Sequence, residues 1–298
     1  MGMVRFVKNM NLTTLITSDY LFRCCLMESS WQIIQWNGPK RIVFLLFAFF
    51  FTIQVVAKPS YRVVILVDDS YPPYSYLKDG ELVGLYVDVV RQAADLISEK
   101  YIIELQPVPW KRGVDALRRG EDFALLPPYK NVQGRSFIWL YSEPLHEEVI
   151  QAFCNPNSSL LKIENTEYPL KPINVGINAG YLLFDQALNT AMEQNKIKIW
   201  ENKDTLSNIL KLAKNRIDCY INDKWAILSG IKALKQSHPF VDLSQLQQDR
   251  IIFKRTAHIG YLKAPSEKFP FKDDFIKEMD AALKLVFERR TQIDSDDK

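Results

Sequence analysis

The sequence predicts an α/β protein of two lobes, each a mainly parallel sheet flanked by helices, with two hinge strands joining the lobes. Strand-like and helix-like segments alternate in both halves of the chain, as they do in β-α-β units. The 298 residues, of which 47% are hydrophobic, are enough to build sizeable cores. The predicted hinge strands lie at 148–153 and 250–255, between the two halves.

The first 57 residues are predicted to be an export segment and are not part of the predicted two-lobed fold. Lys40 and Arg41 precede a short apolar run at 42–56, and the small residue Ala57 follows. A basic region, an apolar core and a small residue are typical of a secretory signal peptide, here cleaved after Ala57. We therefore expect a periplasmic protein. The run is also apolar enough to serve as an uncleaved membrane anchor, and Met27 is an alternative start that would shorten the leader.

The first half predicts lobe 1, at 58–148. A β-branched run from Tyr61 is of strand length, and it is stopped by Asp68-Asp69-Ser70 and a Pro-Pro turn. Apolar residues then recur at helical spacing before an alternating segment, which completes one β-α-β unit. The predicted elements are a strand at 61–67, a helix at 85–100, a strand at 101–108, a helix at 113–119 and a strand at 122–126.

The second half repeats the β-α-β pattern and is predicted to form lobe 2, at 149–253. The chain then returns to lobe 1 at 254–290. An amphipathic closing helix is predicted at 272–289, followed by a disordered, charged tail at 291–298. The other predicted elements are strands at 148–153, 173–177, 217–221, 250–253 and 258–262, with helices at 181–194, at 205–214 and after Asp223.

Charge and cysteine content exclude some classes of partner and of site. The 38 Lys and Arg residues nearly balance the 35 Asp and Glu residues, so no nucleic-acid partner is expected. Cys154 and Cys219 are the cysteines of the folded part, and their spacing is not that of metal ligands. They form either one disulfide or two separately buried thiols, and two thiols are the default interpretation. No metal and no cofactor are expected.

Two parallel-sheet lobes imply a ligand cleft between them, because open α/β sheets bind ligands beyond the carboxyl ends of their strands. The loops at those ends should therefore form the site. They lie at 68–76, 126–135, 178–181 and 222–225.

The chain resembles the family 3 extracellular solute-binding proteins, which serve polar amino acid uptake by ABC transporters. The resemblance spans 61–289 and implies the two-lobed periplasmic-binding-protein fold of type II. Its motifs are Tyr71-Pro72-Pro73-Tyr74-Ser75-Tyr76 with Gly80 and Gly84, Pro109-Trp110-Lys111-Arg112 with Gly120, Arg135, Ser142-Glu143-Pro144, Val175-Gly176 with Gly180, and Ile221-Asn222-Asp223.

The resemblance implies that Arg135 binds the α-carboxylate of an amino acid and that Asp223 binds its α-ammonium. A guanidinium offers a carboxylate two parallel N–H donors, and an aspartate opposite it would select zwitterions. Without the resemblance, Arg135 would be interpreted as a surface arginine and Asp223 as a helix N-cap.

Aromatic residues and one glycine complete the candidate ligand-binding set. Of Tyr71, Tyr74 and Tyr76, at least one is expected to line the cleft, Tyr74 first, and at least one to pack over the strand end. Gly180 is expected to bring a helix N-terminus close to a ligand carboxylate. The chain departs from the family at two places. After the glycine, where the family has hydroxyl donors, this chain has Tyr181-Leu182. Before Arg135, where the family has hydroxyl and glycine donors, it has Pro127-Pro128-Tyr129. The remaining candidates are Trp110, equally suited to a core position, and Tyr129.

An enzyme and a ligand sensor are the alternatives to a binding protein. The sequence carries no His-Glu-x-x-His helix, Gly-x-Ser-x-Gly elbow or phosphate-binding glycine loop, so no catalysis is expected. The paired acids Glu147-Glu148 and Asp273-Asp274 point in different directions and are expected on solvated faces. A dehydratase of the cyclohexadienyl kind remains an alternative, as does a membrane-anchored or partner-coupled sensor. We expect a monomer that binds a small polar solute and works with an ABC permease.

Overall fold

The computed structural model describes residues 61–130, 133–161, 163, 171–263 and 267–296. The chain divides into Met1–Ala57 and Lys58–Lys298, and every described residue belongs to the second unit. The predicted signal peptide, its cleavage position and the alternative start therefore lie outside the described residues. Within the described part of the chain, none of the helices is both long enough and apolar enough to cross a membrane.

Two five-stranded sheets and one small sheet organise the described residues. The strands are β1 (Tyr61–Asp68), β2 (Ser70–Tyr71), β3 (Ser75–Lys78), β4 (Glu81–Val83), β5 (Tyr101–Val108), β6 (Ala124–Leu126), β7 (Ile138–Tyr141), β8 (His146–Cys154), β9 (Ile173–Asn178), β10 (Ile197–Asn202), β11 (Cys219–Asp223), β12 (Gln247–Ala257) and β13 (Gly260–Leu262). The helices are α1 (Leu85–Leu96), α2 (Trp110–Arg118), α3 (Gln186–Glu193), α4 (Thr205–Ala213), α5 (Lys224–Ser237) and α6 (Lys272–Asp296).

The sheet of lobe 1 has the order β5-β1-β6-β13-β7. β5 and β6 run parallel to β1, and β13 runs antiparallel to both of its neighbours. The second half of β1, at 65–68, is buried, as expected for an interior strand of a sheet covered on both faces. Pro109 precedes α2, where its fixed φ suits a helix start, and Gly120 beyond the end of α2 has a φ of 70°.

The sheet of lobe 2 has the order β10-β9-β11-β8-β12. β10 and β11 are parallel to β9, whereas β8 and β12 form an antiparallel pair at one edge. Helix α4 is capped by Asp204, whose carboxylate accepts a hydrogen bond from the amide of Ser207 at 2.7 Å. The predicted two-lobed α/β fold is therefore confirmed.

The pair β8 and β12 carries the chain between the two sheets. The pairing continues past the strand ends, where Leu145 N–H donates to Ala257 O at 2.8 Å and Ser142 N–H donates to Ile259 O at 2.9 Å. β8 begins at His146 and β12 ends at Ala257, whereas the predicted lobe boundaries are 148/149 and 253/254. The crossing thus consists of two adjacent hydrogen-bonded segments.

Several elements differ from the sequence prediction. The small sheet β2-β3-β4 and the strands β7 and β10 were not predicted, because they are short or lack clear alternation. The helix predicted at 181–194 begins only at Gln186, because the Asp185 carboxylate caps it by accepting from Leu188 N–H at 3.0 Å. The disordered tail predicted from 291 is also wrong as far as Asp296, because α6 continues to that residue.

Cys154 and Cys219 form a disulfide, so the default interpretation of two free thiols is wrong. The two residues are direct partners in the antiparallel register of β8 and β11. Both side chains are buried. The bond therefore links one of the crossing strands to the interior of the lobe 2 sheet.

Glu148 lies in β8 near the crossing and is fully buried, so the prediction of a solvated Glu147-Glu148 pair is wrong for Glu148. Three tyrosine hydroxyls of lobe 1 donate to its carboxylate. Tyr86 lies at 2.5 Å, Tyr129 at 2.6 Å, and Tyr71 is the third donor. Burial, and to a smaller extent nearby Asp223, raises the pKa of Glu148 to about 7 against the opposing effect of the tyrosine hydrogen bonds.

Removal of the disulfide should destabilise the protein. The bond spans a sequence separation of 65 residues, for which the chain-entropy model gives about 4 kcal/mol of stabilisation. We expect the double variant Cys154→Ala/Cys219→Ala to lose unfolding free energy of this order in urea titrations. Dithiothreitol should destabilise the unsubstituted protein by a similar amount and leave the double variant unchanged. Equal stability of both proteins under oxidising conditions would contradict the disulfide.

Glu148 should make stability fall as pH rises. Its folded-state pKa of about 7 exceeds its ordinary value of 4.5, so between these values the folded protein binds a proton that the unfolded chain releases. The unfolding free energy should therefore decrease from pH 5 to pH 8, with a contribution from Glu148 on the order of 3 kcal/mol. Glu148→Gln should reduce this dependence in urea titrations.

The control for Glu148→Gln is Glu147→Gln, because the neighbouring Glu147 side chain is 59% exposed. This control should retain the pH dependence of the unsubstituted protein. Asp68, whose pKa burial also raises to about 7, contributes with the same sign and stays in both variants. Identical pH dependence in the two variants would show that Glu148 is not a buried, proton-binding carboxylate.

Candidate functional site

A small cavity lies between the lobes at the carboxyl ends of the parallel strands. Its volume of about 20 Å³ leaves room for about one water molecule. The cleft is therefore closed, and side chains of the two lobes fill it. The lobe 1 lining is Tyr71, Trp110, Pro127, Tyr129 and Arg135, and the lobe 2 lining is Tyr181, Leu182 and Leu183.

Arg135 is the cation of this lining. It lies in the segment between β6 and β7 and is only 5% exposed. One guanidinium N–H group donates to Gly180 O across the cleft at 2.8 Å, and the guanidinium carbon lies 5.0 Å from the centre of the Trp110 ring. No carboxylate of the described residues forms an ion pair with it.

Burial lowers the pKa of Arg135 to about 10, so the guanidinium stays cationic at neutral pH. A buried cation without an anionic neighbour is costly, and a ligand carboxylate would offset that cost. The structure therefore places the predicted carboxylate-binding residue on the wall of the interlobe cavity.

Gly180 brings its backbone against lobe 1 rather than presenting a helix N-terminus, because α3 begins only at Gln186. Its carbonyl accepts from Trp110 Nε1–H at 3.2 Å as well as from Arg135. Its φ is 78°, and an added Cβ would lie 3.2 Å from Lys111 Cβ. The expected anion site at a helix N-terminus is thus wrong. The glycine instead permits a close contact between the lobes.

Asp223 serves as a helix cap in this structure. Its Oδ1 accepts from Ala226 N–H at 2.9 Å and from the Tyr74 hydroxyl at 2.8 Å, and its Oδ2 accepts from Val149 N–H at 3.2 Å. Burial raises its pKa although these hydrogen bonds oppose the shift. The cap role predicted as the alternative is therefore present, and Asp223 is not among the residues that line the cavity.

The three tyrosines of the first motif occupy different environments. Tyr71 lines the cavity, whereas the Tyr74 ring packs on Tyr86 at 4.7 Å and its hydroxyl points to Asp223. Tyr76 lies in β3 and contributes backbone pairs with Ser70 and Val83. Tyr71 rather than Tyr74 is therefore the tyrosine of this motif on the cavity wall.

Sequence reasoning missed two buried acids and one tyrosine. Tyr181 of lobe 2 donates to Asp68 Oδ2 of lobe 1 at 2.7 Å, and its ring meets Tyr71 edge-on at 5.7 Å. Asp68 ends β1 and is 2% exposed. Its position at the carboxyl end of a buried strand could have marked it as a site residue. Nothing local in the sequence marked Glu148.

The arrangement around the cavity brings cationic, aromatic and acidic side chains together. It combines one buried cation, several aromatic rings and buried carboxylates whose oxygens already accept protein hydrogen bonds. Among the described residues, no group of three or more His, Cys, Asp or Glu side chains could hold a metal ion. The chemical capacity of the cavity is therefore to hold an anionic group against apolar and aromatic walls.

Solved structures with the same fold include a histidine kinase sensor domain with similarity to periplasmic binding proteins, at 14% identity and a TM-score of 0.61 over 79% of this chain and 93% of that chain. GshT of Streptococcus mutans, from a study of glutathione import, has 19% identity and a TM-score of 0.61 over 78% and 92%. ArtJ of Geobacillus stearothermophilus, which binds arginine, lysine and histidine, has 17% identity and a TM-score of 0.57 over 76% and 90%.

A search of curated protein sequences gives no match. The sequence profile of the bacterial extracellular solute-binding proteins, family 3, matches residues 63–289. This match covers most of the chain, and it includes both lobes, the two crossing strands and every residue that lines the interlobe cavity. The chain therefore belongs to the bacterial extracellular solute-binding proteins of family 3.

Proposed function

We propose that this protein binds a small polar solute carrying a carboxylate, as an amino acid does, by closing its two lobes, and that it passes the solute to an ABC transporter. The observation that carries this proposal is Arg135, a buried cation with no ion-pair partner among the described residues, on the wall of the interlobe cavity. Family membership and the amino acid ligands of ArtJ support it.

Hinge bending at β8 and β12 would open the cleft. The hydrogen bonds that close it lie around Gly180 and Tyr181. The Tyr74 hydroxyl also donates to Asp223 across the lobes at 2.8 Å, and the exposed pair of Lys111 and Glu201 lies at 3.3 Å. A ligand that occupies the cleft would replace these contacts and select the closed form. The cavity of about 20 Å³ requires side chains to move before a solute fits.

The second half of the proposed zwitterion site is Asp223. Oδ1 of Asp223 already accepts from Ala226 N–H and the Tyr74 hydroxyl, whereas Oδ2 accepts from Val149 N–H and keeps a second acceptor position for an ammonium group. The raised pKa of Asp223 shows that its charged form lacks full compensation. Arg135 and Asp223 remain the proposed pair for an amino acid.

The disulfide supports an extracytoplasmic location, because such bonds persist in oxidising compartments. The proposed state is a periplasmic monomer released from its signal peptide and working with a membrane permease. A membrane-anchored or partner-coupled sensor is the second candidate, favoured by the likeness to the histidine kinase sensor domain. Both candidates require the same cleft, and they differ in whether the segment at 42–56 is retained.

Arg135→Gln should weaken binding of a carboxylate solute by at least about tenfold. Two charge-assisted hydrogen bonds of about 1.5–3 kcal/mol each would be lost. The measurement is isothermal titration calorimetry against amino acids and simple carboxylates. Arg119→Gln is the control, because Arg119 is exposed and paired with Glu121 at 2.7 Å. Equal affinity of the Arg135→Gln variant and the unsubstituted protein would contradict the proposed role.

Tyr181→Phe should loosen the contact between the lobes. The substitution keeps the ring but removes the hydroxyl that donates to Asp68 at 2.7 Å. Loss of about 1 kcal/mol should raise amide hydrogen exchange of the segment at 178–185 by about fivefold. Mass spectrometry of the unliganded protein measures this directly. Tyr61→Phe, at a partly exposed position in β1, should have no effect. Unchanged exchange in Tyr181→Phe would show that other contacts hold the lobes together.

A further inference from the structure

The lining of the interlobe cavity is unlike a site for a zwitterion. Of the eight residues that line it, four are aromatic and three are leucine or proline. Arg135 is the single charged residue of this lining, and none of the lining side chains is a carboxylate. The cavity wall therefore offers a place for one negative charge and a large apolar surface.

Three carboxylates lie near the cavity, and each of their six oxygens already accepts a hydrogen bond from the protein. Asp68 accepts from Ser70 N–H and the Tyr181 hydroxyl. Glu148 accepts from three tyrosine hydroxyls. Asp223 accepts from two backbone amides and the Tyr74 hydroxyl. A ligand ammonium would have to share one of these oxygens with a protein donor, and none of the three carboxylates lies on the cavity wall.

From this arrangement we infer that the cleft binds a monocarboxylate with an aromatic or apolar body and does not require an ammonium group on the solute. This inference rests on the proposed function: it keeps Arg135 as the carboxylate-binding residue and removes the need for an ammonium group at Asp223. The carboxylate sits on the Arg135 guanidinium, and the body of the solute lies against Trp110, Tyr71 and the chain at 181–183.

The cost of removing water from the solute decides between a zwitterion, which carries an ammonium group, and a monocarboxylate. An ammonium group carries three donors, and burying it against apolar side chains removes its water without supplying acceptors in return. A carboxylate that meets Arg135 gains charge-assisted hydrogen bonds and compensates a cation that is already buried. A solute with one negative charge therefore leaves the fewest groups unpaired in this cavity.

Ring geometry favours a flat, apolar body. In the closed cleft, the Tyr181 ring contacts Tyr71 at 5.7 Å and Trp110 at 5.8 Å, both nearly edge-on. When lobe 2 moves away, these aromatic contacts are lost. A solute ring that enters between the same side chains replaces them with contacts of the same kind. A polar side chain in that position would find no such partner.

A matched ligand pair tests the inference, because 3-phenylpropionate and phenylalanine differ only in the ammonium group. The full chain is titrated by calorimetry with both, with phenethylamine, which lacks the carboxylate, and with glutamine and arginine. We expect 3-phenylpropionate to bind at least as tightly as phenylalanine, and the other three to bind at least about tenfold more weakly than 3-phenylpropionate.

A variant of the cavity wall tests where the apolar body lies. Leu182 lines the cavity and is 41% exposed, so Leu182→Asn should fold and should weaken 3-phenylpropionate binding by about tenfold. Leu206 on α4 is 38% exposed and lies outside the cavity lining. Leu206→Asn should therefore leave the affinity unchanged. Equal effects of the two substitutions would overturn the proposed position of the solute.

The remaining outcomes separate this inference from the proposed function. Binding of phenylalanine at least tenfold tighter than 3-phenylpropionate would overturn the inference and, if lost in Arg135→Gln, would leave the proposed function in place. If glutamine or arginine binds and 3-phenylpropionate does not, the inference is likewise overturned and the proposed function is left in place. Failure of every carboxylate to bind would overturn both.

Discussion

The buried carboxylate of Glu148 is the constraint on which the junction of the lobes depends. A carboxylate with no exposed surface must find donors, or it destabilises the fold by several kcal/mol. Its donors come from three separate parts of lobe 1: β2, α1 and the loop after β6. Because all three meet at one residue of β8, the hydrogen bonds fix the orientation of lobe 1 on the crossing strands. Hydroxyl donors suit this task, since they remain neutral and hold the acid whether or not it is ionised.

Two of the three tyrosines that hold Glu148 also form part of the cavity wall. Tyr71 and Tyr129 donate to the carboxylate with their hydroxyls and line the cleft. Arg135 and Trp110 complete the same wall, so the fixed part of the site belongs to lobe 1. Lobe 2 contributes the short chain at 181–183, which α3 does not include because Asp185 caps that helix. Rigid and movable parts of the site are thus separate in sequence, which is what closure about a hinge requires.

The sequence predicted the repeated β-α-β pattern and the parallel strands, because these depend on local periodicity. The role of Arg135 in binding a carboxylate came from the family resemblance and stays a prediction. The sequence did not predict Glu148, whose donors lie 77, 62 and 19 residues away, and adjacent acids usually lie on solvated surfaces. Whether Cys154 and Cys219 form a disulfide could not be predicted either, because only the register of β8 with β11 brings the two cysteines together. Tyr181 was placed in a predicted site loop, at 178–181, as a residue standing where the family has a hydroxyl donor, but no contact was predicted for it. Its contact with Asp68 depends on how the lobes close, and no local pattern encodes that.

Hydrogen bonding at the wall limits how the cleft can open. If a solute pushed Tyr71 or Tyr129 aside, Glu148 would lose a donor while buried, so these rings should stay in place. Tyr181 is free of that restriction, because its partner Asp68 belongs to the opposite lobe and burial raises the pKa of this acid to about 7. Near neutral pH Asp68 is partly protonated, which lowers the cost of losing its donor. The lobe 2 chain can therefore withdraw while the lobe 1 wall keeps its shape. In the proposed function, a solute would meet Arg135 and the aromatic rings first and the closing chain afterwards.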